Sequence, residues 1–273
     1  MSFNMNGITN FTSSIFKSRS RVIFLLSVPI IVLAIFLIWE GITRYSAVPE
    51  FILPSPGSVW NRFIASIKDG TLIRHTLVTF SEVVGGLFIG IFIAVILGYV
   101  LAKSESAERV LAPYIVASQS IPVVAIAPLL IIWFGSGRIS KILISALIVF
   151  FPVLVNTIIA VRTVPEDLRD LMRSLRATSL QIFTKLEVPA AMPVLLGGFK
   201  IGATLSVIGA VVGEFVAADE GLGFLINLAR GMYDTSMVFV TVFTLVAMAL
   251  SLYTVVAIVE VRMLAWRKDP SEL

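Results

Sequence analysis

The chain contains no cysteine and a single histidine, His75, among 273 residues. That composition excludes disulfides, thiolate chemistry and cysteine-ligated metals, and one imidazole cannot build a multi-histidine metal centre. Charge is scarce too: 14% of the residues are Asp, Glu, Lys or Arg, against about 25% in soluble domains. No stretch reads G-x-x-x-x-G-K-[ST], so the phosphate-cradling loop of a nucleotide hydrolase is missing. Acidic residues and histidine do not cluster at acid–base spacing, which argues against a membrane enzyme. What the chain has instead is apolar length: 58% of it is hydrophobic, with a mean hydropathy of +0.98. A surface with so little polarity cannot face water all round, so the chain is read as an integral membrane protein.

Six apolar runs are long enough to cross roughly 30 Å of hydrocarbon as helices. They cover residues 22–39, 83–102, 110–134, 142–161, 193–217 and 237–261. The alternation of a transmembrane barrel is absent, so the expected fold is all-α. The first run follows Lys17, Arg19 and Arg21 but lacks a small-residue cleavage pattern, and reads as an anchor rather than a signal peptide. Orientation follows from the basic residues. With the N-terminus inside, the inner segments hold Lys17, Arg19, Arg21, Lys103, Arg109, Arg162, Arg169, Arg173, Arg176, Lys185, Arg262, Arg267 and Lys268. These outnumber the outer Arg44, Arg62, Lys68, Arg74, Arg138, Lys141 and Arg230. Both termini are therefore expected to be cytoplasmic, in a multi-pass membrane protein. The net charge of +4 is covered by this bias and calls for no nucleic acid. The expected division is a cytoplasmic segment 1–21, a first span 22–39 and an external loop 40–74. A transmembrane domain 75–261 and a cytoplasmic tail 262–273 complete it.

One inner segment breaks the pattern. DLRDLMRSLRATSLQIFTKLEVP, residues 167–189, is rich in charge and hydroxyls between two apolar spans. Pro165, Glu166 and Asp167 suit a helix start, and Leu168, Leu171, Met172 and Leu175 recur at i, i+3, i+4, i+7. A break at Arg176-Ala177 precedes Thr178 and Gln181, spaced as a capping box that opens a second helix. Leu180, Phe183 and Leu186 line one side of it, and Pro189 is expected to end it. The pattern fits either a hairpin lying in the headgroups or a docking surface for a partner.

The segment resembles the coupling motif of permease subunits of ABC importers. Asp170, Leu171 and Met172 stand at its acid-Ala-Ala start, Arg176 at its glycine, Ala177 at the next small residue, and Leu186-Glu187-Val188-Pro189 at its end. The spacing matches, as does the position between the fourth and fifth of six spans. LPSPGSVW (53–60), IPVVAIAPLLIIWFGSG (121–137) and GEFVAADEGLGFLI (213–226) resemble the branch that imports nitrate, sulfonates, taurine and vitamin-related heterocycles. The resemblance implies a type I ABC importer permease fold, with helices 165–189 docking on separate ABC ATPase subunits. It places Asp170, Leu171, Met172, Leu175, Arg176, Ala177 and Pro189 in the coupling segment. It also implies a second permease chain, identical or paralogous, and an extracytoplasmic substrate-binding protein. No cofactor is implied. Arg176 departs from the motif, since its glycine would serve a left-handed turn that costs another residue roughly 1 kcal/mol.

Other residues leave alternatives open. Glu214, near the outer end of the fifth span, either lines the translocation path or gate, or makes an interfacial salt bridge. Glu82 is expected at the interface, and Lys200 to snorkel toward the headgroups. The small-residue pairs Gly86/Gly90, Gly198/Gly202 and Gly209/Gly213 allow close helix approach, more readily within one subunit than between two. Pro113, Pro122 and Pro128 either free carbonyls for a cavity or set a static kink. Residues 53–70 read as an amphipathic helix at the outer interface, with Trp60 as its lipid anchor. No cation lies deep in a span, which leans the substrate toward a neutral heterocycle such as riboflavin or a thiamine precursor. A sulfonate, taurine or nitrate is the alternative, and a secondary transporter is disfavoured by the absence of an inverted repeat and buried coupling charges.

Overall fold

The computed structural model describes residue 27 and residues 29–46 and 48–267. The expected segment 1–21, the start of the first span and the end of the tail lie outside them. Among the described residues all regular structure is helical. Residues 29–45 form α1, which runs past Trp39, the expected end of the first span. There follow α2 (Pro56–Lys68), α3 (Thr71–Lys103), α4 (Glu105–Gln119), α5 (Val123–Phe134) and α6 (Arg138–Arg162). The chain continues through α7 (Glu166–Ser174), α8 (Ser179–Ile182), a π turn (Phe183–Glu187), α9 (Val188–Val216), α10 (Leu222–Gly231) and α11 (Thr235–Met263). By length and hydropathy α3, α6, the continuous 179–216 stretch and α11 can cross a bilayer, with α4–α5 a fifth if the pair is one span.

The core is a sandwich of three long helices in which α6 lies between α3 and α9. Glycines make the approach possible. A β-carbon on Gly209 would stand 2.5 Å from Cα of Ser145, and one on Gly90 would stand 2.8 Å from the Ala146 carbonyl oxygen. Ser145 is fully buried between the two faces, and its hydroxyl donates to the Ser206 carbonyl at 2.9 Å. The small-residue pairs all face α6 of the same chain. Around this sandwich, α11 leans on α9 and α10, and α2 caps one end against α11.

Three expectations about the spans need correcting. The stretch 110–134 is not one helix: α4 and α5 meet at 91° across the Ser120–Pro122 break. Proline there lacks an amide donor and drives Ile121 out of the α region, which a hydropathy window does not register. Helix α3 starts twelve residues before position 83, because His75, Thr79 and Glu82 lower its hydropathy without lowering its helicity. Pro189 does not end a helix either. The backbone is helical from Ser179 to Val216, and Pro189 sits in the first turn of α9. The π turn explains the tolerance. Val188 donates to the Phe183 carbonyl five residues back, widening the turn where the proline ring would crowd an i−4 carbonyl.

Candidate functional site

The charged insert folds as a short helical hairpin at the end of the bundle that holds Lys103 and Arg162. No residue of α7 is buried. Its apolar stripe is exposed at Leu168, Leu171 and Leu175, and Leu180 of α8 is exposed as well. Asp170 pairs with Arg173 at 2.9 Å on the exposed side. The turn keeps the left-handed form that a glycine would supply: Arg176 has φ 56°. Its amide donates to the Arg173 carbonyl at 2.9 Å and the Ala177 amide to the Met172 carbonyl at 3.0 Å, the paired bonds of a Schellman cap. Thr178 then opens α8 with a complete capping box, its hydroxyl taking the Gln181 amide and its own amide donating to the Gln181 side chain. Phe183 turns inward and meets Tyr99 edge-on at 5.3 Å. Met172, Ala177 and Pro189 are half-buried.

At the opposite end a second cluster surrounds Glu214, which is 1% exposed. It does not protrude, and among the described residues no cation stands at contact distance from it. Thr79 donates to it at 2.6 Å, the Gly223 amide donates to its other oxygen, and Glu82 touches it. The Thr79 hydroxyl also accepts the Leu222 amide at 2.7 Å, and His75 Nδ1 accepts the Gly221 amide at 3.0 Å. Three successive amides opening α10 are thus held by side chains of α3 and α9, where a local N-cap would ordinarily stand. Gly221, at φ 114°, fits against the Glu214 carboxyl, where a β-carbon would clash. Glu82 is buried rather than interfacial, and its Oε2 finds no partner among the described residues. Outside the bundle, Arg74 binds Glu220 and holds its carboxyl below the usual range. Arg62 ties α2 to Asp234, the N-cap of α11, at 2.8 Å. Trp60 is exposed on the outer face of α2, beside the buried Val59.

Lys200 finds a partner within the chain. It pairs with Glu260 of α11 at 2.7 Å and stands 5.9 Å from the Tyr253 ring. Phe88 and Phe92 are exposed on α3, whereas Phe150 and Phe199 pack against the core.

Residues 86–265 match the family described as the binding-protein-dependent transport system inner membrane component. The chain belongs to this family of ABC importer permeases. Among its relatives is the riboflavin transport system permease protein of Chloroflexus aurantiacus, 44% identical across 88% of this chain and 90% of that one. The formylaminopyrimidine transport permease protein of Halalkalibacterium halodurans is 34% identical across 86% and 94%. The taurine transport system permease protein of Escherichia coli is 28% identical across 79% and 81%. Among solved structures, an inward-facing form of the MetNI methionine ABC transporter shares the fold, with a TM-score of 0.62 at 18% identity over 72% of this chain and 97% of that one. The permease is accordingly a multi-pass inner-membrane transport subunit rather than an enzyme, and ATP hydrolysis belongs to a separate subunit. Family membership implies an ATPase and a substrate-binding protein as kinds of partner.

Neither the outer amide cluster nor the inward turn of Phe183 was visible in the sequence. His75 pairs with Gly221 across 146 residues, and no local pattern signals such a contact.

Proposed function

We propose that this permease docks an ABC ATPase on the α7–α8 hairpin and carries a flat, vitamin-like heterocycle, riboflavin or a thiamine precursor, delivered by an external binding protein. The observation that carries the docking reading is the set of outward leucines, Leu171 (54% exposed), Leu175 (70%) and Leu180 (70%). It stands beside Arg173 and Arg176 on a hairpin whose connecting turn is capped on both sides, by the Schellman bonds that close α7 and the capping box that opens α8. Covering each leucine is worth about 1.5–3 kcal/mol, so a rigid cleft in a partner gains affinity without first ordering the helices. Asp170, Met172, Ala177 and Pro189 set the shape of that surface. In this arrangement the chain crosses the membrane six times with both termini cytoplasmic, pairs with a second permease chain, and moves as a rigid body when ATP closes the ATPase pair. Coupling then requires only that ATP bind one state better than the other. The two vitamin-related relatives support the heterocycle. Glu214, enclosed under α10, acts on the path by fixing where α10 stands.

Uptake in cells lacking other riboflavin importers tests this reading. With the permease, its ATPase and its binding protein expressed together, labelled riboflavin should accumulate while ATP lasts, and excess taurine should not compete. Competition by taurine but not riboflavin would overturn the substrate. Uptake that survives ATP depletion and follows the proton gradient would overturn the mechanism.

A further inference from the structure

The carboxylate of Glu187 is enclosed where the hairpin meets the bundle, with 2% of its side chain exposed, and both α3 and α7 reach it. It closes the π turn that leads from α8 into α9. Oε2 accepts the Tyr99 hydroxyl at 2.9 Å, and Oε1 accepts from Lys103, so both grips come from the last turns of α3. Oε1 also accepts Nε of Arg169, on α7, at 3.2 Å. The same guanidinium donates through Nη2 to the Val161 carbonyl, at the end of α6, at 2.8 Å. The arginine is 16% exposed on a helix that buries no residue. The Lys103 ammonium lies 5.4 Å from the Tyr99 ring, which Phe183 of the π turn meets edge-on.

We infer that Glu187 is the positioning residue through which movement of α7 reaches the transmembrane helices; this rests on the docking reading above. The apolar stripe of α7 faces away from the bundle, so packing alone transmits little from it. Arg169 and Glu187 supply polar bonds that cross that gap. Through them, displacement of α7 is shared at once by α3, α6 and α9, the three helices already locked together by their glycine contacts. A π turn fits this place, since such single wide turns interrupt the regular ladder of an α-helix and recur at functional sites. An ion pair enclosed this well holds its geometry only while every partner is present. Losing one charge should therefore loosen transmission before it unfolds the bundle.

The absence of native cysteine permits a readout that does not depend on the substrate. A single Asp219→Cys, in the exposed loop before α10, carries an environment-sensitive fluorophore. The permease–ATPase complex is then studied in nanodiscs, with and without ATP and vanadate. In the parent complex trapping should change the outer reporter. Glu187→Gln should still co-purify with the ATPase and still trap nucleotide, while the reporter change falls at least fivefold. Tyr99→Phe, a gentler loss that leaves the charges intact, should reduce the change about twofold, and Lys103→Arg should preserve it. A full reporter response from Glu187→Gln would overturn the inference. So would loss of the ATPase from an otherwise intact Glu187→Gln protein, because it would place Glu187 in docking rather than in transmission. Absence of an ATPase from the parent complex would instead overturn the docking reading beneath it.

Discussion

At the scale of single residues, Arg176 shows what the permease tolerates. Its side chain stands in a left-handed conformation that glycine adopts freely, yet both Schellman bonds are made. The strain is roughly 1 kcal/mol, and glycine would return a similar amount to the unfolded chain as entropy. Arg176→Gly is therefore expected to leave transport intact and to shift stability by less than about 1 kcal/mol in a thermal melt of the detergent-solubilised protein. Arg176→Val adds a branched β-carbon at the same φ, and should melt measurably lower. Complete loss of transport by a normally expressed Arg176→Gly would show that the guanidinium itself does the docking. The position of this turn was legible, because the capping box at Thr178 and the leucine spacing before it are local signals. The partners of Glu187, Glu214 and His75 were not, because each is set by packing between helices distant in sequence.

At the scale of elements, the apolar runs reveal that helices exist and leave their bounds and continuity to chemistry that hydropathy averages away. The polar first turns of α3 were invisible for that reason, and the α4–α5 break was hidden by apolar residues on both sides of Pro122. The π turn that carries the chain past Pro189 has no sequence signature of its own. The α3–α6–α9 sandwich was partly legible in its small-residue spacing. Its tightest point is Ser145, with Gly209 on one side and Gly86 on the other. Gly209→Val forces the α6 backbone away and is expected to cost about 1–3 kcal/mol from overpacking, lowering the melting temperature and expression. Gly197 has open space at its β-carbon position, so Gly197→Ala should be tolerated in the same assays. Equal behaviour of the two variants would contradict the packing described.

For the whole molecule, the tightly packed α3–α6–α9 sandwich carries a differently built polar cluster at each end. One end presents an exposed hairpin with a capped turn, tied to the helix termini by Arg169 and Glu187. The other binds the start of α10 to α3 and α9 through His75, Thr79 and Glu214. The central claim is that the hairpin is the handle for an ATPase. Its most direct test is affinity purification of the tagged permease from its native membranes in mild detergent, with mass spectrometry of what accompanies it. A Walker-motif ATPase should be recovered with the parent chain and lost when Asp170→Trp and Ala177→Trp are combined, while the permease stays monodisperse. Recovery of the ATPase undiminished by the double substitution would contradict docking at this hairpin, and a folded parent chain that brings no ATPase would contradict the handle altogether.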